Sequence, residues 1–398
     1  MLEGLKVVEY ATYIAAPGAG GILSDWGAEV IKIEPPGGDP IRRFFDTIGS
    51  DQDANPVFEM DNRGKKSVIL DTTQEAGKEA LRRLAAKADV FLTNVRPGGL
   101  SRAGLDYEGL SAANPKIIYA SVTGYGLEGA EADRPGFDMA AFWSRTGFGR
   151  LTAPKGVDPF PIRTAVGDHI CSLSTASAIL AALYERDRTG KGRLVETSLV
   201  RAAIYALGSD MAIQLRFGKL ASTRPREGAI NPIANFFRTK DERWVCVLPR
   251  QSEKDWGVMC DALDAGHLKT DPRFIKSRDR RANGPALVGE IDALFATKDL
   301  ADIAERFDKG DLVWAPFNTP AEASVDPQLI AAGCYVDTPL ASGEGTFRAP
   351  AAPARFHGAD DAPKGPSPRP GQHTAGVLAG AGFSADEVAA MLASGAAA

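Results

Sequence analysis

Leu5-Lys-Val-Val-Glu-Tyr10, then Ala16-Pro17-Gly18 leading into an apolar helical series through Ile22, Leu23 and Trp26, then Ala28-Glu-Val-Ile-Lys-Ile33, read as strand, helix and strand within about thirty residues. Gly27 ends the helix between them. This βαβ unit sets the pattern for the next part of the chain. Thr72-x-x-Glu75 forms a capping box ahead of Leu81 and Leu84 on a helix. Asp89-Val-Phe-Leu-Thr93, Lys116-Ile-Ile-Tyr-Ala-Ser-Val122 and Arg193-Leu-Val-Glu-Thr197 supply further strands. The class is α/β with a mostly parallel sheet. Ligands in such sheets gather at the C-terminal ends of the strands. Here those ends carry Tyr13-Ile14-Ala15, Glu34-Pro-Pro, Asn94-Val-Arg96 and Thr123-Gly-Tyr125.

The chain has 398 residues, which predicts two domains rather than one core. Hydrophobic residues make up 44% and charged residues 24%, an ordinary balance for a soluble globular protein. The net charge of −5, without a block of one sign, argues against nucleic acid as a partner. Cys171, Cys246, Cys260 and Cys334 lie far apart without a CxxC pair, so free thiols in a reducing compartment are expected. The four histidines show no metal-ligand spacing, and no metal is expected. The first residues lack a leader pattern and no apolar run is long enough to span a bilayer; a cytoplasmic protein without membrane association is the expectation.

Further along, Ser198 caps one long helix through Leu215, and residues 217–228 lack apolar periodicity and read as a linker. Asn235 to Leu248 reads as a hairpin turning at Lys240-Asp-Glu, followed by helices over 286–295 and 300–307. Ser384-Ala-Asp-Glu387 opens a last short helix by a capping box, and the alanine-rich end reads as a frayed tail.

The chemistry centres on Asp168, within Arg163-Thr-Ala-Val-Gly-Asp-His-Ile-Cys171. Leu173, Ala176, Ile179, Leu180 and Leu183 follow at helical spacing, and Arg186-Asp-Arg-Thr-Gly190 stops the helix. Asp168 therefore stands at or just before a helix N-terminus, where two roles are open: an N-cap, or an ionised carboxylate held as nucleophile or base beside an apolar wall. Pro17-Gly-Ala-Gly-Gly21 follows a strand but lacks dinucleotide-binding spacing. The basic residues Lys32, Arg42, Arg43, Arg63, Lys65 and Lys66 read as a solvated rim. Arg96 and Arg102 differ, because they flank Pro97-Gly-Gly99 past a strand end, where guanidinium groups match phosphate oxygens.

Leu2-Glu-Gly-Leu-Lys-Val-Val-Glu, Asp25-Trp-Gly-Ala-Glu-Val-Ile-Lys-Ile-Glu34, Asn62-Arg-Gly-Lys-Lys-Ser-Val-x-Leu-Asp71, Asn94-Val-Arg-Pro-Gly98, Gly167-Asp168, Thr189-Gly-Lys-Gly192 and Gly371-Gln-His-Thr374 together resemble the family III CoA-transferases. The resemblance implies a Rossmann-like large CoA-binding domain over 1–216, a linker over 217–228, a smaller α+β domain over 229–322, and a second linker with a C-terminal return over 323–398. It also implies that two copies interlock as a ring-like homodimer. Asp168 falls on the family's nucleophile, which attacks an acyl-CoA thioester and passes through a mixed anhydride and an aspartyl-CoA thioester. The substrates implied are coenzyme A as acyl-CoA and a small carboxylic acid. Ile14 and Ala15 match residues lining the thioester pocket. Where formyl-CoA transferase has glutamine, Ile14 makes that pocket more apolar. Leu70, Thr73, Asn94, Val95, Arg96 and Arg102 fall on segments that hold CoA.

The related 2-methylacyl-CoA racemases pair the aspartate with a histidine, where this chain reads Pro135-Gly-Phe137-Asp138. Phenylalanine exchanges no proton, so transfer is favoured over racemisation. Asp138 remains as a second acidic group that positions the site or caps a helix. His169 reads as structural, since consecutive helical side chains point apart. A racemase using another base, or a non-catalytic acyl-CoA-binding protein, are the rival readings.

Overall fold

Val7 and Val8 show how the main sheet is built. They are neighbours in strand β1 (Lys6–Tyr10), their side chains leave opposite faces, and both are buried. A sheet covered on both sides follows. The structure is a computed structural model describing residues 1–47, 54–360 and 362–398. Strands β2 (Glu29–Glu34), β3 (Lys66–Ile69), β4 (Val90–Thr93), β5 (Ile118–Thr123) and β6 (Arg193–Ser198) pair with β1 in the order β3-β2-β1-β4-β5-β6, every pair parallel. The order reverses between β1 and β4. That is the switch point at which open α/β sheets leave a crevice beyond the strand ends.

The first unit's helices of seven residues or more up to Phe217, in chain order, are α1 (Ala15–Asp25), α2 (Pro56–Asn62), α3 (Glu75–Ala86), α4 (Pro97–Ala103), α5 (Tyr107–Ala113), α6 (Val166–Thr189), α7 (Leu199–Ala206) and α8 (Gly208–Phe217). One sheet face packs Val7, Leu92 and Ile118 with Leu23 of α1, Ile179 of α6 and Ala203 of α7. The other packs Val8 and Phe91 with Leu81 of α3 and Leu110 of α5. Helix α6 is long and apolar enough, by length and composition, to cross a membrane, which the sequence reading did not anticipate. It instead buries Cys171, Ala176, Ile179 and Leu183 in this core.

The chain divides into two compact units: Met1–Gly149, Pro159–Leu220 and Ala331–Ala398 form one, Arg150–Asp158 and Ala221–Ile330 the other. Residues 150–158 group with the second unit because the Lys155 amide donates to the Thr223 carbonyl and the Thr223 hydroxyl to that of Leu151. In the second unit β7 (Asn235–Arg238) and β8 (Trp244–Val247) form the expected hairpin, and β9 (Trp314–Pro316) adds to it. Their apolar side chains pack on α9 (Ser252–Ala262), α10 (Gly284–Phe295) and α11 (Leu300–Lys309), with Phe237 stacked on Phe295 at 5.0 Å. In the first unit β10 (Tyr335–Pro339) and β11 (Thr346–Pro350) form a second hairpin, followed by α12 (Thr374–Gly380) and α13 (Ala385–Ser394).

Four local expectations are corrected. Thr72 and Glu75 form no capping box: the residue ahead of α3 is Gln74, whose side chain makes no cap hydrogen bond, and the Thr72 hydroxyl is spent on the Tyr10 phenol at 2.8 Å. The helix after Ser198 is two helices, broken at Leu207 ahead of Gly208, a poor helix former. The alanine-rich end is not frayed. Ala396 and Ala397 are buried, the Asp71 amide donates to the Ala396 carbonyl, and the Ala398 amide donates to Ile69. Lys32, Arg63 and Lys65 are buried rather than rim residues: Arg63 pairs with Asp25 at 2.6 Å, and both lysines pair with Glu9.

Candidate active site

The turn after β1 is held from below by buried charge. Lys32 Nζ lies 3.1 Å from Glu9 Oε1, 2.8 Å from Asp39 Oδ2 and 3.3 Å from the Ala11 carbonyl. Lys65 Nζ lies 2.7 Å from Glu9 Oε2 and 2.8 Å from the Pro17 carbonyl. Burial works against the Lys32 ammonium, but Glu9, Asp39 and Glu34 outweigh it and hold its pKa above the ordinary value. Two buried ammonium groups thus grip the backbone on either side of Tyr13-Ile14-Ala15. The glycines of α1 serve the same close packing, not a dinucleotide: a Cβ on Gly18 would sit 2.5 Å from Ser172 Oγ, and one on Gly21 2.7 Å from the Asp61 carbonyl oxygen.

Asn94, just beyond β4, clamps this turn. Its Nδ2 donates to the Thr12 carbonyl at 2.7 Å and its Oδ1 accepts the Thr12 amide at 3.1 Å. Arg96 precedes α4, and its guanidinium reaches the Asp133 carbonyl at 3.4 Å. The strand ends therefore enclose a cleft of about 230 Å³, lined among others by Tyr13, Ala15, Asn94, Arg96, Phe137 and Asp168.

Asp168 enters as the third residue of α6. The helix is preceded by Ala165, in the left-handed region at φ 64°, so Asp168 is not the cap. Gly167 is required before it: a Cβ there would lie 2.6 Å from the Phe142 ring and 3.0 Å from the Asp138 Cβ. Asp138 stands ahead of a π-helical turn at Met139–Ser144; burial raises its pKa on balance, against the Met139 and Gly167 amides, which favour its charge. Among the described residues, Asp138 Oδ2 and Asp61 Oδ2 are buried without hydrogen-bond partners. Burial, then Asp138 and Asp61, push the Asp168 pKa up to about 7, against an opposing pull from His169. His169 Nε2 turns to Asp61 Oδ1 at 3.2 Å. Burial disfavours its charge, but Asp61, with Asp168 and Asp138, raises its pKa on balance.

Of the residues singled out from sequence, Ala15, Asn94, Arg96 and Asp168 meet at the cleft, with Asp138 directly behind Asp168. Ile14 is buried behind it with Ile41, Phe58 and Ala165. Val95 packs on the core and Arg102 is exposed on α4. Leu70 is 1% exposed, packed with the core that holds Ala396 and Ala397, and Thr73 donates to Asp71 at 2.6 Å; neither lines this cleft. The sequence reading missed Asp61, Asp39 and the contribution of Tyr13. The last shows only in its backbone, at φ 63°.

What this arrangement offers is a carboxylate that is half ionised near neutrality, shielded from solvent, and open to a crevice with guanidinium at its rim. The model of CoA-transferase family III matches residues 2–374. The chain is 33% identical over 390 residues to (R)-2-hydroxy-4-methylpentanoate CoA-transferase of Clostridioides difficile, covering 98% of this chain and 97% of that one. It is 36% identical over 305 residues to cinnamoyl-CoA:phenyllactate CoA-transferase of Clostridium sporogenes, covering 75% and 74%. A crystal structure of a CAIB/BAIF family protein from Brucella suis superimposes with a TM-score of 0.84 at 33% identity, covering 96% of this chain and 99% of that chain.

Proposed function

The chain belongs to CoA-transferase family III, and from that premise we propose that Asp168 carries CoA from an acyl-CoA to a carboxylic acid acceptor. A carboxylate oxygen of Asp168 attacks the thioester carbonyl carbon, the C–S bond breaks, and CoA leaves as thiolate. The thiolate attacks the aspartyl carbonyl of the mixed anhydride, releasing the donor acid and leaving an aspartyl-CoA thioester. The acceptor carboxylate attacks that thioester, forming a second anhydride, and the thiolate then takes its acyl carbonyl. No proton is gained or lost across the cycle, so the site needs a desolvated nucleophile more than an acid.

The observation that carries this reading is the placement of Asp168: first turn of α6, uncommitted to a cap, facing the crevice at the sheet's switch point. Asn94, Val95 and Arg96 are proposed to hold the pantetheine and phosphates, with Arg102, Leu70 and Thr73 further along the CoA chain. Leu70 can contribute only backbone there, since its side chain is buried. Ala15 lines the cleft and Ile14 backs it from the buried cluster with Ile41, Phe58 and Ala165; an apolar thioester end of this kind fits acids larger than formate. The relatives named for 2-hydroxy-4-methylpentanoate and for cinnamoyl-CoA and phenyllactate support the same reading. Phe137 stands in the cleft where a racemase would need a proton-transferring side chain.

Hydroxylamine trapping tests the covalent route. Incubation with acyl-CoA and hydroxylamine is expected to convert Asp168 to its hydroxamate with loss of activity. An unmodified Asp168 peptide in a protein that still turns over would refute it.

A further inference from the structure

The wall beside Asp168 is aromatic, and its rings are set by backbone that resists that position. Tyr13 sits in the left-handed region at φ 63°, rare for a bulky side chain. Asp39 secures it: Oδ1 accepts the Tyr13 amide at 3.1 Å, while Oδ2 lies 2.8 Å from buried Lys32 Nζ. Strain of this kind persists where surrounding structure over-determines it, and it gathers at ligand sites. The outcome is that the Tyr13 ring meets Phe137 edge to face, centroids 5.2 Å apart. Tyr13 is 39% and Phe137 56% exposed, so much ring surface is open to the cleft that holds Asp168. Ala15, Val122 and Leu199 add apolar lining. Of the guanidinium groups in the same lining, Arg134 pairs with Glu131 at 2.6 Å, and Arg96 is given to the CoA phosphates under the proposed function. A second carboxylate on a substrate would meet apolar rings first.

We propose that Tyr13 and Phe137 form the acyl subsite and select carboxylic acids that carry an aryl ring over short or dicarboxylic acids. The inference rests on the CoA-transfer reading. A third ring completes an edge-to-face or offset cluster that the pair already begins, and ring packing of this kind adds to the gain from area alone. One methylene more or less in a hydrophobic pocket is already worth roughly 10-fold to 200-fold, so the lower end of that range is a floor for a ring.

The test is an acceptor panel of 3-phenylpropanoate, acetate and succinate with one acyl-CoA donor, read as ratios of kcat/KM. It uses wild type, Phe137→Ala and Tyr13→Asn, asparagine being tolerant of left-handed backbone. The wild-type aryl-to-acetate and aryl-to-succinate ratios are expected to be about 10 or more, and to fall at least about threefold in either variant. Wild-type ratios below that, or ratios held within about threefold in both variants, overturn the proposal. Transfer of CoA to none of the acids overturns the transferase reading itself, and this inference with it.

Discussion

Asp168 is worth most when ionised, yet its surroundings favour the proton. Its pKa lies at about 7, raised by burial and by Asp138 and Asp61. Turnover should therefore rise as pH climbs through neutrality. Asp138→Asn removes one of the raising charges and should move that rise to lower pH, a shift visible in a pH–rate profile; an unmoved profile would separate Asp138 from the nucleophile. The same shift bears on stability. The folded pKa exceeds the ordinary carboxylate value of about 4, so the folded state binds more protons between the two and loses stability as pH rises across that window. Asp168→Asn should thus raise the melting temperature relative to wild type at about pH 8 but not near pH 4. Sequence gave access to Asp168 because Gly167 precedes it and a helical series follows. It could not give Tyr13's backbone, which is fixed by Asp39, 26 residues away in the chain.

Five of the six sheet strands were legible as short apolar runs bounded by turn residues, and α1, α3 and α6 as apolar series at helical spacing, whereas β3, the four residues Lys66-Ser-Val-Ile69, is too short to show a pattern and was not read as a strand. Which strand neighbours which was not legible, since nothing along the chain marks the partner of a short apolar run, and β6 is exposed over much of its length. The buried lysines were misread for a related reason. Lys32 and Glu9 are cross-strand neighbours in the register of β1 and β2, and a linear reading does not set them side by side. The network they form holds β1, β2 and the turn that carries Ile14 and Ala15. Lys32→Met leaves Asp39 and part of Glu9 buried without a counter-charge, and removal of one member of such a group costs about 3–5 kcal/mol. Urea unfolding should show a loss of that order; a loss below about 1 kcal/mol would mean the charges are not coupled in the folded state. The alanine-rich end was misjudged because it has no periodicity of its own: its order comes from hydrogen bonds beside β3.

The first unit alone leaves one surface unexplained. Helix α8 buries none of its side chains, and Ile213, Leu215 and Phe217 on it are exposed, as is Tyr205 on α7. A helix of ten residues without a packed face is marginal in water. An interlocked homodimer, as the family resemblance implies, would cover it. Light scattering should give a mass of twice 42.1 kDa, and Leu215→Glu should shift it toward the single chain. A monomeric wild type would remove the dimer from the reading.

The covalent role of Asp168 leaves an isotopic mark. In the proposed sequence the acceptor's carboxylate oxygen bridges to Asp168 and stays there when the thiolate takes the acyl group. With an acceptor acid labelled in both carboxylate oxygens with heavy oxygen, a single turnover should leave one labelled oxygen on Asp168, read by mass spectrometry of its peptide. Formation of labelled acyl-CoA with an unlabelled Asp168 would contradict the anhydride route and the role assigned to this residue.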